Sequence, residues 1–205
     1  MFADHQPLIA ASAKRSPAHL GDVLYFVLGS IREPIKRMPL IMASLRELGG
    51  NSPFLWGYKR EAYTYIAANL EGIYADTMEM LAIADPERRE REALAYFAML
   101  PGFGIAKGGF VVQLVFGQAG CIDTNNVNRF NVLAEDRKRE PSWLRADEFK
   151  RRPRQRANYL DAYLSAVANM GGTADLWDTW CEFVAERDFA DAEDISALHL
   201  LAIRA

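Results

Sequence analysis

Apolar residues recur three and four positions apart along almost the whole chain, and nowhere do they alternate. In the clearest stretch, Ile66, Leu70, Ile73, Tyr74, Thr77, Met78 and Leu81 share one helical face and predict a long helix over about 59–83. No run of strand-like period and no Asn-Gly hairpin is present. The fold class is therefore all-α, in about eight to ten helices for a chain of this length.

Punctuation residues divide the pattern. Ser16-Pro17 reads as an N-cap followed by a first-turn proline, and Asp85-Pro86 repeats that signal before PERREREALAYFAM. The segment from Pro34 to Leu48 ends at Gly49-Gly50, and Pro39 within it predicts a kink or a split. Trp177, Trp180, Cys181 and Val184 fit one helical face after Gly171-Gly172, with Thr173 as the cap. Asp191 would cap a last helix carrying Ile195, Leu198 and Leu201. No repeat or low-complexity tract separates one part from another, so residues 1–205 are treated as one unit.

Two cysteines, Cys121 and Cys181, cannot supply a disulfide framework or a four-cysteine cluster. His5, His19 and His199 lie far apart, which excludes a histidine-paired metal motif. No metal site and no cofactor is expected. No apolar run reaches the length of a membrane span, and the N-terminus lacks the order of a signal peptide. The sequence predicts a cytoplasmic protein, nucleoid-associated in a prokaryotic or viral setting, with no membrane partner.

The net charge of −3 hides an uneven distribution. Residues 1–134 carry 13 basic and 13 acidic side chains, residues 135–156 carry 9 and 5, and residues 157–205 carry 2 and 9. The middle stretch is locally basic. It includes Arg151, Arg152, Arg154 and Arg156, a cluster that serves either as a solvated helix start or as a contact to a polyanion.

Residues 94–130 carry the most information. They read LAYFAMLPGFGIAKGGFVVQLVFGQAGCIDTNNVNRF: helix, tight turn, helix, loop, helix. Pro101 ends the first helix, and both glycines of Gly102-Phe103-Gly104 are free to take positive φ in the turn. The second helix runs from about Gly104 to Phe116, buries Phe110, Val111, Leu114 and Val115, and closes at Gly117. A glycine turn feeding a helix start gathers backbone N–H groups in a space no side chain blocks. That suits a phosphate and reads no base identity. Lys107 in the first turn adds charge.

These residues resemble the helix-hairpin-helix and catalytic-aspartate segment of the HhH-GPD superfamily of base-excision DNA glycosylases, which includes endonuclease III and the mismatch adenine glycosylase. The match covers under a fifth of the chain. The resemblance implies two helical lobes flanking a cleft that binds double-stranded DNA. It implies that Leu100, Gly102, Phe103 and Gly104, with Ala106 and Lys107 after them, grip a backbone phosphate. Asp123 falls on the catalytic carboxylate, which stabilises the positive charge that develops on the sugar as a flipped-out base departs. Asn125 and Asn126 come next as contacts to the flipped nucleotide. Members that also cleave the strand carry a lysine where Ala106 stands. Lys107 comes one residue later, about 100° round the helix, and would act as a Schiff-base nucleophile only after a shift of the turn. The resemblance therefore implies a monofunctional glycosylase without the iron–sulfur cluster some members hold.

Simpler readings accompany each feature. Asp-Thr-Asn-Asn before Val127 and Phe130 is also a good helix N-cap. Cys121, Trp177, Trp180 and Cys181 fit a core, and Tyr63, Tyr65, Tyr96 and Tyr159 are not sorted between pocket and core. A non-catalytic DNA-binding module and a helical structural or interaction protein remain alternatives to the glycosylase. The base recognised, the stacking residue and the oligomeric state are not fixed by these residues.

Overall fold

The computed structural model describes residues 2–122 and 146–188. Among them lie nine α-helices and no strand: α1 (Phe2–Ala13), α2 (Pro17–Gly29), α3 (Met38–Leu48), α4 (Tyr58–Leu81), α5 (Pro86–Met99), α6 (Ile105–Phe116), α7 (Ala146–Arg151), α8 (Arg156–Asn169) and α9 (Gly172–Asp188). Short 3₁₀ turns at Ile35–Arg37, Gly49–Asn51 and Pro153–Gln155 lead into or out of α3 and α8. The all-α expectation is met.

Two helices form the centre. In α2, Leu20 to Leu24 and Phe26 to Gly29 are buried, and in α6 Ile105 and Gly108 to Val115 are buried. A helix apolar on nearly all sides is stable only when surrounded. Accordingly α6 packs against α1, α2, α5 and α7, while α2 packs against α1, α3, α4 and α6. Phe26 of α2 meets Phe110 of α6 at a ring separation of 6.3 Å, and Phe110 meets Trp180 of α9 at 5.5 Å. Trp177, Trp180 and Cys181 are buried together, and burial pushes the Cys181 thiol up to about 12.

Most boundaries match their signals. Asp85 caps α5 by accepting from the N–H groups of Glu87 and Arg88 at 3.0 and 3.4 Å, with Pro86 in the first turn. Ser16 is the N-cap of α2, but its hydroxyl bonds His19 Nδ1 at 2.7 Å instead of a backbone N–H. The chain splits just ahead of Pro39, where a 3₁₀ turn gives way to α3. Thr173 is not the cap of α9, because the helix already begins at Gly172. The Thr173 carbonyl accepts a bond from Gln113 instead. Asp191 and the helix expected after it, and the side chain of Val184, lie outside the described residues.

Two adjacent glycines inside α6 let neighbours come close. A Cβ at Gly108 would lie 2.7 Å from the backbone nitrogen of Ala98, so α5 and α6 touch through main chain there. A Cβ at Gly109 would lie 2.5 Å from the Tyr163 hydroxyl oxygen. Glycine inside a helix costs about 1 kcal/mol relative to alanine. The close approaches explain why α6 tolerates two.

Candidate DNA-backbone interface

The hairpin sits where α5 ends and α6 begins. The N–H of Phe103 donates to the Leu100 carbonyl at 3.1 Å, which closes the turn. Gly102 is left-handed at φ +76, and a Cβ there would lie 2.6 Å from the Ala62 Cβ and 3.3 Å from Leu28 Cδ1. Glycine is required twice over, by conformation and by space. Gly104 differs from expectation. Its φ of −143 is extended backbone, so only one of the two glycines takes positive φ. An extended residue suffices because Gly104 is the N-cap, whose carbonyl receives the first helical bond from Gly108 at 2.8 Å.

Upstream of Gly108, the N–H groups of Ile105, Ala106 and Lys107 stand at the start of α6, where the buried N-cap Gly104 has no side chain to cap them. The helix dipole adds partial positive charge there. Leu100 and Phe103 are buried, so their side chains anchor the turn, and their N–H groups donate within it, to the carbonyls of Phe97 and Leu100. Pro101, Gly102, Ala106 and Lys107 are half-buried. The Lys107 ammonium lies 5.4 Å from the centre of the Phe110 ring.

The basic segment reaches this turn. Lys150, in α7, donates to the Leu100 carbonyl at 2.6 Å, which ties α7 to the hairpin. Arg151, Arg152 and Arg154 come directly after it and are exposed. Their roles differ. Arg152 pairs with Glu148 one turn back. Arg156 donates to the carbonyls of Phe149 and Lys150, at 3.1 and 3.0 Å, and so finishes the end of α7. The sequence grouped these arginines without separating the cap from the solvent-facing members.

Three features near the hairpin were not anticipated. Lys59, the second residue of α4, is fully buried and donates to the Gly29 carbonyl at 3.4 Å, at the negative end of α2. Burial holds its ammonium below the usual lysine range. Glu33 opposes that shift, and the charges of Lys107 and Arg32 reinforce it. The three cations therefore share one electrostatic neighbourhood. Second, Arg32 itself takes φ +58, a conformation uncommon for a non-glycine residue and often found at functional turns. Third, Trp56 and Tyr58 are 43% and 39% exposed and meet edge to face at 5.7 Å. Tyr58 borders the hairpin, its ring 3.7 Å from where a Cβ of Gly102 would be. Exposed rings beside cations suit stacking on an unpaired base. The Trp-Gly-Tyr run ahead of α4, with Gly57 at φ +52, was the signal that could have found them.

The tyrosines now sort. Tyr65 is exposed on α4, Tyr63 stacks on Tyr25 at 4.6 Å, Tyr96 donates to Asp76 at 2.7 Å, and Tyr159 is buried and donates to Gln155 at 2.7 Å. Cys121 and Ile122 are buried directly ahead of Asp123. Asp123, Asn125 and Asn126 themselves lie outside the described residues. Among the described residues no group of three His, Cys, Asp or Glu side chains could hold a metal ion, and no helix is long and apolar enough to cross a membrane. Comparison with protein-family models, with curated proteins and with solved structures finds no match to this chain.

Proposed function

We propose that this protein binds the backbone of double-stranded DNA through the α5–α6 hairpin and acts as a monofunctional base-excision glycosylase, with Asp123 as the essential carboxylate. The observation that carries the reading is the convergence at the hairpin. A helix start with a glycine N-cap, a turn in which Gly102 is sterically required, and a basic segment tied on through Lys150 meet at one end of α6. Backbone N–H groups fix one phosphate without reading sequence, and the arginines add salt-dependent affinity. Trp56 and Tyr58 supply the stacking surface that an opened duplex needs.

Asp123 then has an electrostatic task. Cleavage of an N-glycosidic bond builds positive charge on the sugar, and a carboxylate held nearby lowers that barrier. Strand cleavage through an imine is not part of the proposal, because Ala106 stands at the lysine position and Lys107 lies over Phe110. The test is base release from duplexes carrying uracil, hypoxanthine, oxidised guanine or a G·T mismatch. Wild type is expected to release at least one base, and Asp123→Asn to lower that rate by at least 100-fold, on the order of a lost electrostatic stabiliser. Release that is absent throughout, or unaffected by the substitution, removes the enzymatic assignment.

A second reading is favoured by the packing of Gly102 against Ala62 and Leu28. In it the turn serves only to dock helices and the protein is a structural or interaction module. Duplex binding at low salt separates the two. Binding that is weakened by substitution at Gly104, without any base release, would identify a non-catalytic DNA-binding module instead.

A further inference from the structure

Several arginines of the fold are already tied to a carboxylate. Arg37 pairs with Glu33 at 2.8 Å, Arg46 with Asp22 at 3.3 Å, Arg88 with Glu92 at 2.6 Å, and Arg91 with Asp161. The cations around the head of α4 are different. Arg32, Arg60 and Lys107 make no ion pair with another described residue. Arg32 and Lys107 lie close enough to Lys59 for their charges to act on it, and Arg60 follows Lys59 in α4. The first turn of α4 adds partial positive charge from its N–H groups. Against these stand Glu61 in that turn and Glu33, which Arg37 already shares.

Exposed rings stand among these charges. Tyr58 borders the hairpin turn, Trp56 meets Tyr58 edge to face, and the Lys59 ammonium lies 5.4 Å from the centre of the Trp56 ring. Gly57, between the two rings, has open space where a Cβ would be. From Gly57 an open groove of about 610 Å³ follows α4 past Arg60, Thr64 and Tyr65 to Asn69. At the helical rise, that path is about 18 Å long. Tyr65, 43% exposed, adds a third ring seven residues after Tyr58, two turns on and on the same side of the helix. The Thr64 hydroxyl donates to the Arg60 carbonyl at 3.0 Å, and the Asn69 amide donates to the Tyr65 carbonyl at 2.8 Å. Each side chain keeps an oxygen able to accept from a base.

Rings of this kind have no use on an intact duplex, whose base faces are covered by their neighbours in the stack. A single strand offers those faces, together with a phosphate for each nucleotide. Grooves that hold single strands combine the same two elements, cations for the backbone and aromatic platforms for the bases. Charge complementarity decides the occupant here, because cations without a carboxylate partner call for an anionic chain. We propose that the head of α4 is a binding site for single-stranded DNA that continues from a duplex held at the hairpin. Its first bases stack on Tyr58 and Trp56, its phosphates face Arg32, Lys107 and Arg60, and the strand runs along the groove to Tyr65. The site takes its place beside a duplex from the reading of the hairpin as a backbone grip, and it is independent of base excision.

The experiment uses the full chain and measures Kd by fluorescence anisotropy at low salt. The probes are a blunt DNA duplex, the same duplex with a single-stranded tail of about eight nucleotides, and the tail strand alone. Wild type is expected to bind the tailed duplex about tenfold or more tighter than the blunt one. Trp56→Leu and Tyr65→Leu should each weaken binding of the tailed duplex by about tenfold, the worth of one stacked base, and leave the blunt-duplex Kd within about twofold. Trp56→Phe keeps a ring and should restore most of the affinity. Arg60→Ala should lower the slope of log K against log salt for the single strand by about 0.7. If Trp56→Leu fails to fold because that ring covers Lys59, Tyr65→Leu and Arg60→Ala carry the test. A tail that adds no affinity overturns the α4 site and leaves the hairpin grip standing, as does an equal loss on blunt and tailed duplexes in the ring variants. Single-strand binding that Trp56→Leu abolishes, with no binding of the blunt duplex, removes the hairpin grip and keeps the α4 site. No binding of any probe overturns both.

Discussion

Two irregular connections flank α6, and they are built on opposite principles. The turn before it, residues 100–104, is made from local rules: a proline, a left-handed glycine and a helix start. The stretch after it, residues 117–122, has left-handed residues at Gly117 and Ala119 and is held by side chains from α5, α6 and α8. The first takes its shape from neighbouring residues, although Ala62 packs on it and Lys150 bonds its Leu100 carbonyl. The second is fastened by contacts from residues far away in sequence. One is shaped by local backbone rules and the other by side chains distant in sequence, so substitutions in the two should fail in different ways.

The largest effect is expected on the turn side. Gly108→Ala would put a Cβ 2.7 Å from the Ala98 backbone nitrogen, and main chain cannot swing aside as a flexible side chain can. Gly102→Ala adds a strained φ to a 2.6 Å approach to Ala62. Each should cost about 2–4 kcal/mol, as overpacking combined with an incompatible backbone does. Urea unfolding measures it. Ala62→Gly should recover the steric part of the Gly102→Ala loss and leave the conformational part. Full recovery would show that space alone requires glycine at 102.

The same contrast explains what was legible in the residues beforehand. The long helix expected over 59–83 is α4, at Tyr58–Leu81, because amphipathic spacing is a local property. The start of α5 was readable for a similar reason, since Asp85 and Pro86 are neighbours in sequence. Gly102 was readable as a turn, but the extended backbone of Gly104 was not, because a glycine's freedom does not say which conformation is chosen. The placement of Lys59 was hidden altogether: nothing local distinguishes a lysine under Trp56 from a solvated one. Tyr163 and Gln113, which accept from the N–H groups of Ile122 and Cys121, were equally silent, since those partners lie 41 and 8 residues away. Only Gly108-Gly109 gave a hint, as paired glycines in an apolar helix are costly unless something must come close.

An intermediate effect concerns Lys59, which belongs to the turn side. Its folded-state pKa is lowered, chiefly by burial. Between that value and the ordinary one near 10.5, the unfolded chain holds a proton that the folded chain has released. Stability linked to Lys59 therefore rises with pH across this window, and the cost of burying the charged form applies below it. Lys59→Met should remove both the cost and the rise. At neutral pH the variant should lie within about 1 kcal/mol of wild type or above it, as replacing a buried charge by an apolar group of similar shape often does. The difference should shift in favour of wild type as pH increases through the window. Parallel stability curves in urea from pH 7 to 10 would show that Lys59 is not titrating differently on folding.

The smallest effect separates the two connections most cleanly. Arg154 is exposed beyond α7, and Lys150 ties that helix to the hairpin. If Arg154 meets a DNA phosphate, Arg154→Ala should reduce the slope of log K against log salt by about 0.9, the counterion released per phosphate neutralised. Stability should change by no more than about 0.5 kcal/mol, as for other surface substitutions. Arg152→Ala should reduce the slope less, because its guanidinium is already shared with Glu148. Tyr163→Phe should leave the slope where it is, since residues 117–122 are assigned no phosphate. A slope that falls equally for Arg154→Ala and Tyr163→Phe would mean that the two sides of α6 form one binding surface, and the contrast between the two connections would have to be abandoned.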